Sequence, residues 1–333
     1  MLVPRLRAGW PLGRVLVVSF LRSQRSLPFA WTQGTRATTG ESVATFCKRE
    51  KLALRSEVIP GGSSSPPSAL HFIRLSPGAS KAKPTVLLYL HGGGYVNPVD
   101  IQGQLPFALD CAKSVGASDL AGLEYTLAPE LKYPGQLEQA VEALRHLLAT
   151  YSPDQIIIGG ESAGGNLLLA LLAHIKQPHP SVKALPPLPG KFAAAFAISP
   201  WVKATYNSRS FVDNSTYDYI SAQGMENATK MWSPEFGEVW SEPIVGGVEF
   251  WQHVPVDHLL VTAGSFECFL DDVKEFGEQL NTSKTGEEHS VEFFTGEKEV
   301  HVQCALDKAV GIPYGYSASK ILNWLETHVS NRQ

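Results

Sequence analysis

Gln155-Ile156-Ile157-Ile158-Gly159-Gly160-Glu161-Ser162-Ala163-Gly164 runs a short apolar stretch straight into the pattern Gly-x-Ser-x-Gly. Gln155–Ile158 reads as a buried strand and Ala163–Ile175 as the helix after it. Gly160 and Gly164 permit a sharp turn between the two, so the Ser162 hydroxyl is expected to project from the turn, exposed to a substrate. Earlier in the chain a second apolar run, Thr85–Leu90, enters His91-Gly92-Gly93-Gly94-Tyr95. A glycine run of this kind offers bare backbone N–H groups, which suit the oxyanion formed when a serine attacks a carbonyl. Gly-x-Ser-x-Gly alone is common by chance. The two motifs in this order, each directly behind an apolar run, point to a serine hydrolase site.

Strand-like and helix-like segments alternate on both sides of these motifs, the mark of a mostly parallel central sheet flanked by helices, an α/β class. Leu70–Leu75 and Leu120–Tyr125 read as further strands. Gly135–Thr150 carries Leu137, Val141, Leu144 and Leu148 at helical spacing. Phe192–Ile198 is almost continuously apolar, as a central parallel strand should be. His258–Ala263 and Val291–Thr295 complete the strands, and Ser317–His328 makes a closing helix.

At 333 residues the chain is long enough to bury a large core in one α/β domain with insertions, here residues 61–333. The net charge of −4 argues against nucleic acid as a partner. Cys47, Cys111, Cys268 and Cys304 fit neither a CxxC pattern nor a disulfide framework, so a reducing, cytoplasmic setting is expected. The sequons at Asn214, Asn227 and Asn281 would matter only on a secretory route.

Two segments stand apart. Residues 1–40 hold Arg5, Arg7, Arg14, Arg22, Arg25 and Arg36 with no acidic residue before Glu41, a composition that resembles a mitochondrial presequence. Val15–Leu21 is too short to span a bilayer. The plainer expectation is an amphipathic helix over the mouth of the site, within a cap segment of residues 1–60. A peripheral membrane contact is the third reading. Residues 201–255 carry Trp201, Trp232, Trp240 and Trp251, four of seven tryptophans, with Tyr206, Phe211, Tyr217, Tyr219, Phe236 and Phe250. The segment reads as an inserted cap whose aromatics line an apolar pocket or simply pack it onto the body.

Ser162 needs a base, since a serine hydroxyl is a poor nucleophile at neutral pH. In this architecture the histidine comes last and the carboxylate lies between. His301 follows Val291–Thr295 by a short loop and precedes the closing helix. His289 comes before that strand, and His328 sits in the last helix. For the acid, the stretch after His258–Ala263 offers Glu267, Asp271 and Asp272. The aspartates suit the first turn of a helix through its dipole. That leaves Glu267.

From about residue 70 onward the chain resembles the hormone-sensitive-lipase branch of the α/β-hydrolases, the alpha/beta hydrolase fold-3 esterases, and among them fungal members of natural-product pathways. The matching pieces are His91–Tyr95, Tyr125–Glu130 with Tyr133-Pro134, Gly160–Asn166, Gly264–Asp272 and His301. The resemblance implies a Ser162–Glu267–His301 triad with oxyanion donors from Gly93, Gly94 and the Ala163 N–H. It also implies a cap made of the N-terminal segment and residues 201–255, and neither a metal nor an organic cofactor. Glu267-Cys268-Phe269 stands where the family usually has Asp-Pro-Leu, Thr126 where arginine is common, and Val302-Gln303 where a small residue and phenylalanine are common. The expected reaction is hydrolysis of a small-molecule carboxylic ester through an acyl-enzyme. The rival is cyclisation, condensation or acyl transfer on a biosynthetic intermediate. A non-catalytic ligand receptor on the same scaffold is disfavoured by the presence of His301.

Overall fold

The computed structural model describes residues 2–25, 37–75, 85–282 and 290–329. Among them, the strands are β1 (Leu54–Ile59), β2 (Ser68–Arg74), β3 (Val86–Leu90), β4 (Asp119–Glu124), β5 (Ile156–Glu161), β6 (Ala194–Ile198), β7 (His258–Gly264) and β8 (Ser290–Gly296). They form one sheet in the order β1-β2-β4-β3-β5-β6-β7-β8. β1, β2 and β4 pair antiparallel, and from β4 through β3 to β8 every pairing is parallel.

The helices are α1 (Leu2–Arg7), α2 (Leu12–Arg25), α3 (Thr39–Glu50), α4 (Gln104–Ser114), α5 (Gly135–Leu148), α6 (Ala163–Lys176), α7 (Arg209–Asp213), α8 (Ala222–Trp232), α9 (Gly247–Phe250), α10 (Leu270–Thr282), α11 (Gln303–Ala309) and α12 (Tyr316–His328). Side chains of a strand point alternately to the two faces of the sheet. Val86, Leu88 and Leu90 accordingly join one core with α5 and α6, while Leu87 and Tyr89 join a second core with α4 and α12. That double burial is why the central strands are apolar without a polar face.

The strands and long helices expected from the sequence are present, with ends moved by one to three residues. β1 was not expected. Arg55, Ser56 and Glu57 break its apolar pattern, and Val58 faces solvent, because the strand lies at the sheet edge. The helices α3 and α4 were not foreseen either. α3 carries its own start signal, a capping box between Thr38 and Glu41.

The segment between β6 and β7 contains α7, α8 and α9. Trp201, Trp232, Trp240 and Trp251 are all buried, whereas Phe236 is exposed. Before β1, the Val15–Leu21 run lies within α2, which buries Val15 and Val18 and exposes Leu12, Leu16 and Phe20. α1 and α2 are tied to the inserted segment by Arg5 Nε donating to Tyr217 O at 3.0 Å and Arg22 Nη1 donating to Asp218 O at 2.7 Å. They are tied to the body by a two-bond pair from Arg14 to Asp307, at 3.1 and 2.9 Å. Arg36 and residues 26–36 generally lie outside the described residues. Among the described residues no helix is long and apolar enough to cross a membrane.

Candidate active site

Ser162 sits between β5 and α6 with φ 55° and ψ −118°, a backbone conformation costly for a residue with a side chain. The surroundings leave it little choice. Its N–H donates to Ile198 O at 2.9 Å, and its carbonyl accepts from Asn166 N at 2.9 Å and Trp201 N at 3.1 Å. The turn also needs Gly164, where a Cβ would lie 1.9 Å from Leu90 O. The result is a Ser162 Oγ placed 2.8 Å from His301 Nε2.

The turn geometry predicts an exposed serine, whereas the residue as a whole is largely buried. Ser162 is 8 % exposed. The segment between β6 and β7 packs against its neighbours: Tyr219 lies 5.9 Å from the His301 ring, Trp232 stacks on Tyr95 at 4.4 Å, and a Cβ on Gly94 would lie 3.4 Å from Ala228 Cβ. Local sequence shows the turn but not which distant residues pack beside it.

His91, Gly92, Gly93, Gly94 and Tyr95 follow β3 and pass beside the serine turn. Gly93 has φ 117°, a region closed to other residues, and its carbonyl accepts from Val96 N, Asn97 N and Asn97 Nδ2. The Gly92 N–H donates to Glu161 Oε1, which Gln104 Nε2 also reaches at 2.7 Å. Glu161 is fully buried, and burial pushes its carboxyl up to about 8. The His91 ring meets Thr39 Oγ1 at 3.2 Å and stacks on Tyr125 at 4.4 Å, and the Tyr125 hydroxyl donates to His91 O. Burial lowers His91 to about 4, so at neutral pH it is an uncharged brace for the loop. Tyr95 is braced in turn, its hydroxyl donating to Asn166 Oδ1 at 2.7 Å.

Glu267 lies in the loop between β7 and α10. Its Oε2 accepts from Ser199 Oγ at 2.6 Å and from Gly264 N at 2.9 Å, while Oε1 has no hydrogen-bond partner among the described residues. Burial pushes the carboxyl up to about 8, the Ser199 and Gly264 bonds pull it down, and the charges of Asp218 and Glu299 push it up further. Ser199 Oγ also accepts from Val302 N at 3.3 Å, so the loops carrying Glu267 and His301 share one hydroxyl. Phe269 packs edge-on against the His301 ring at 5.0 Å.

Asp271 and Asp272 stand in the first turn of α10, but the helix dipole is not their whole role. Asp271 Oδ2 accepts from Ser210 N at 2.7 Å, and Asp272 accepts from Ser208 Oγ at 3.1 Å and faces Lys203 Nζ at 3.5 Å. Both hold the start of the inserted segment. His328 pairs with Glu292 at 3.3 Å, and His289 lies outside the described residues. Asn214, the first sequon asparagine, is buried, and its Nδ2 donates to Glu267 O at 2.8 Å. Glu161, Ser199 and Asp218 escaped the sequence reading, since nothing in their neighbours signals a buried partner.

Residues 87–304 match an alpha/beta hydrolase fold family. Over 101 residues the chain is 31% identical to kynurenine formamidase of Scheffersomyces stipitis, covering 29% of this chain and 37% of that protein. Over 117 residues it is 40% identical to an acetyl-hydrolase of Streptomyces hygroscopicus, covering 34% of this chain and 35% of that one. The matches thus span little more than a third of these curated relatives. An esterase from the bacterial hormone-sensitive lipase family superposes with a TM-score of 0.70 at 23% identity, covering 96% of this chain and 99% of that one. These findings agree with the resemblance to the hormone-sensitive-lipase branch, and the relatives' names lend no support to a natural-product pathway. The family match takes in β5 to β8, both glycine motifs and His301, and the chain belongs to the alpha/beta hydrolase fold family.

Proposed function

We propose that the protein is a serine hydrolase that cleaves carboxylic esters of small molecules. Ser162 is the nucleophile, His301 the base, Glu267 the carboxylate that orients and stabilises His301, and the N–H groups of Gly93, Gly94 and Ala163 the oxyanion donors. The observation that carries this reading is the 2.8 Å contact between Ser162 Oγ and His301 Nε2, within reach for direct proton transfer. His301 takes the serine proton as Oγ attacks the ester carbonyl. The tetrahedral oxyanion is met by the backbone N–H groups, and its collapse expels the alcohol with the proton held by His301. Water, activated by the same imidazole, then attacks the acyl-enzyme and releases the acid.

The substrates we assign are esters with compact acyl groups. The packing of Tyr219, Trp232 and Ala228 beside a site whose serine has so little exposure supports this, as does the acetyl-hydrolase among the relatives. We read residues 201–255 together with residues 1–60 as the cap of that site.

The test is turnover of p-nitrophenyl esters from acetate to palmitate by the purified protein. Acetate or butyrate should be preferred, and Ser162→Ala should lose roughly 10⁴–10⁶-fold in kcat. A variant that keeps most activity while its circular dichroism matches the parent would overturn the serine mechanism. Preference for palmitate would overturn the acyl assignment.

A further inference from the structure

Asp218 is a carboxylate in the inserted segment between α7 and α8, and it is 0 % exposed. An anion in such a place is costly unless hydrogen bonds compensate it. Here the compensation comes from two separate loops. Oδ2 accepts from Cys268 N at 2.7 Å, and Oδ1 accepts from Tyr219 N at 2.8 Å and His301 N at 3.4 Å. Cys268 is the residue after Glu267. One cap carboxylate therefore grips the backbone beside the acid and the backbone of the histidine itself. A plain turn-forming aspartate would need only the Tyr219 N–H.

The residue is also held from the other side. Its carbonyl accepts from Arg22 Nη1 at 2.7 Å and Arg5 Nη2 at 3.3 Å, and Arg5 Nε donates to Tyr217 O at 3.0 Å. Arg5 is itself buried. These bonds run from α1 and α2 to the backbone of residues 217–218, and the Asp218 side chain carries the connection on to the site.

We infer that Asp218 is a positioning residue that sets the register between the Glu267 loop and the His301 loop and couples it to the docking of α1 and α2. The inference rests on the function proposed above. The Cys268 bond is short, as hydrogen bonds to an ionised acceptor are, and the longer His301 bond brings the second loop to the same carboxylate. The groups that face Asp218 are Glu267 and Cys268 from the loop after β7, His301 from the loop after β8, Tyr219 from its own segment, and Arg5 and Arg22 from the two N-terminal helices.

The experiment compares Asp218→Asn with the parent on p-nitrophenyl acetate. An asparagine keeps one acceptor oxygen and turns an NH₂ toward the other N–H, so one loop loses its hold. A displacement of about 1 Å costs on the order of 10²-fold, which sets the expected fall in kcat at about 10- to 100-fold with KM nearly unchanged. Removing a negative charge beside Glu267 also lowers the pKa of that carboxyl, so the acid limb of the kcat profile should move to lower pH. A merely structural aspartate would lower the melting temperature and move neither. Parental kcat with an unmoved acid limb overturns the inference. Should Asp218→Asn fail to fold, the double variant Arg5→Gln with Arg22→Gln leaves the carboxylate in place and releases its support. A fall in kcat at constant KM supports the coupling there, and parental kcat overturns it. Ser162→Ala run alongside separates the two claims. If it hydrolyses the ester normally, the proposed function has failed, and if it is dead while Asp218→Asn is normal, only the positioning role has failed.

Discussion

Glu267 and the two aspartates after it compete for one role, and their partners separate them. Glu267 directs Oε2 to Ser199 and Gly264 and keeps Oε1 buried without a partner among the described residues, while Asp271 and Asp272 are occupied with Ser210, Ser208 and Lys203. Glu267→Gln should therefore lower kcat by roughly 10³–10⁴-fold, as happens when an amide misplaces the histidine tautomer. Asp271→Asn and Asp272→Asn should each stay within about tenfold of the parent in kcat. Asp272→Asn should also change urea unfolding little, because burial disfavours the Asp272 charge and offsets the attraction of the partly exposed Lys203. A crippled Asp271→Asn beside a normal Glu267→Gln would place the acid one helical turn later.

α2 is held by its buried Val15 and Val18, by Arg22, and by one ion pair to the body. Arg14 reaches the buried Asp307 with two hydrogen bonds, and Asp307 also accepts from Gln303 Nε2 at 2.7 Å and Gly315 N at 3.2 Å. Removing the arginine leaves a buried carboxylate short of its counter-charge, a cost well above 1 kcal/mol. The helix can respond by lifting away and letting water in. Each 1.4 kcal/mol raises the open fraction about tenfold, so Arg14→Ala should be cut by trypsin in residues 1–25 at least about tenfold faster. Global melting should change little. Adding Asp307→Asn should recover part of the loss, since no orphaned charge then remains. Equal cleavage of Arg14→Ala and parent would show that the pair does not hold α2.

Burial sets how the stability of the protein follows pH. Glu161 and Glu267 are both pushed up to about 8 from an ordinary 4.5, mainly by desolvation. Folded protein then holds protons that the unfolded chain has released, so stability falls as pH rises toward 8. His91 and His174 are lowered to about 4 by burial, so their contribution is present above the ordinary 6.5 and is lost as pH falls toward 4. From pH 6.5 to 8 the unfolded chain releases the last of its histidine protons, and the protons held by the two buried carboxylates outweigh that release. Urea midpoints at constant ionic strength should decline over that window, and Glu161→Gln should flatten the decline. A flat or rising midpoint there in the parent would contradict these assignments. Activity should run the other way, rising toward pH 8 as Glu267 ionises and becomes able to stabilise His301.

What could be read before folding was what neighbours in the chain enforce. The Gly160–Gly164 turn, the doubly buried strands and the helical spacing of α5 are local consequences of glycine freedom and side-chain periodicity, and they carry the fold and the serine with them. His301 could be chosen from its position after the last strand. The rest depends on residues brought together across long stretches of chain. Asp218 meets Cys268 and His301 at separations of 50 and 83 residues, and Ser199 meets Glu267 at 68. β1 is polar because it lies at an edge, and that position is set by its pairing with β2. Ser162 is largely buried, and Trp201 from the segment after β6 bonds to its carbonyl. Hydrogen bonding and burial at such distances have no period in the sequence, so only the folded chain decides which polar residue is solvated and which becomes part of the site.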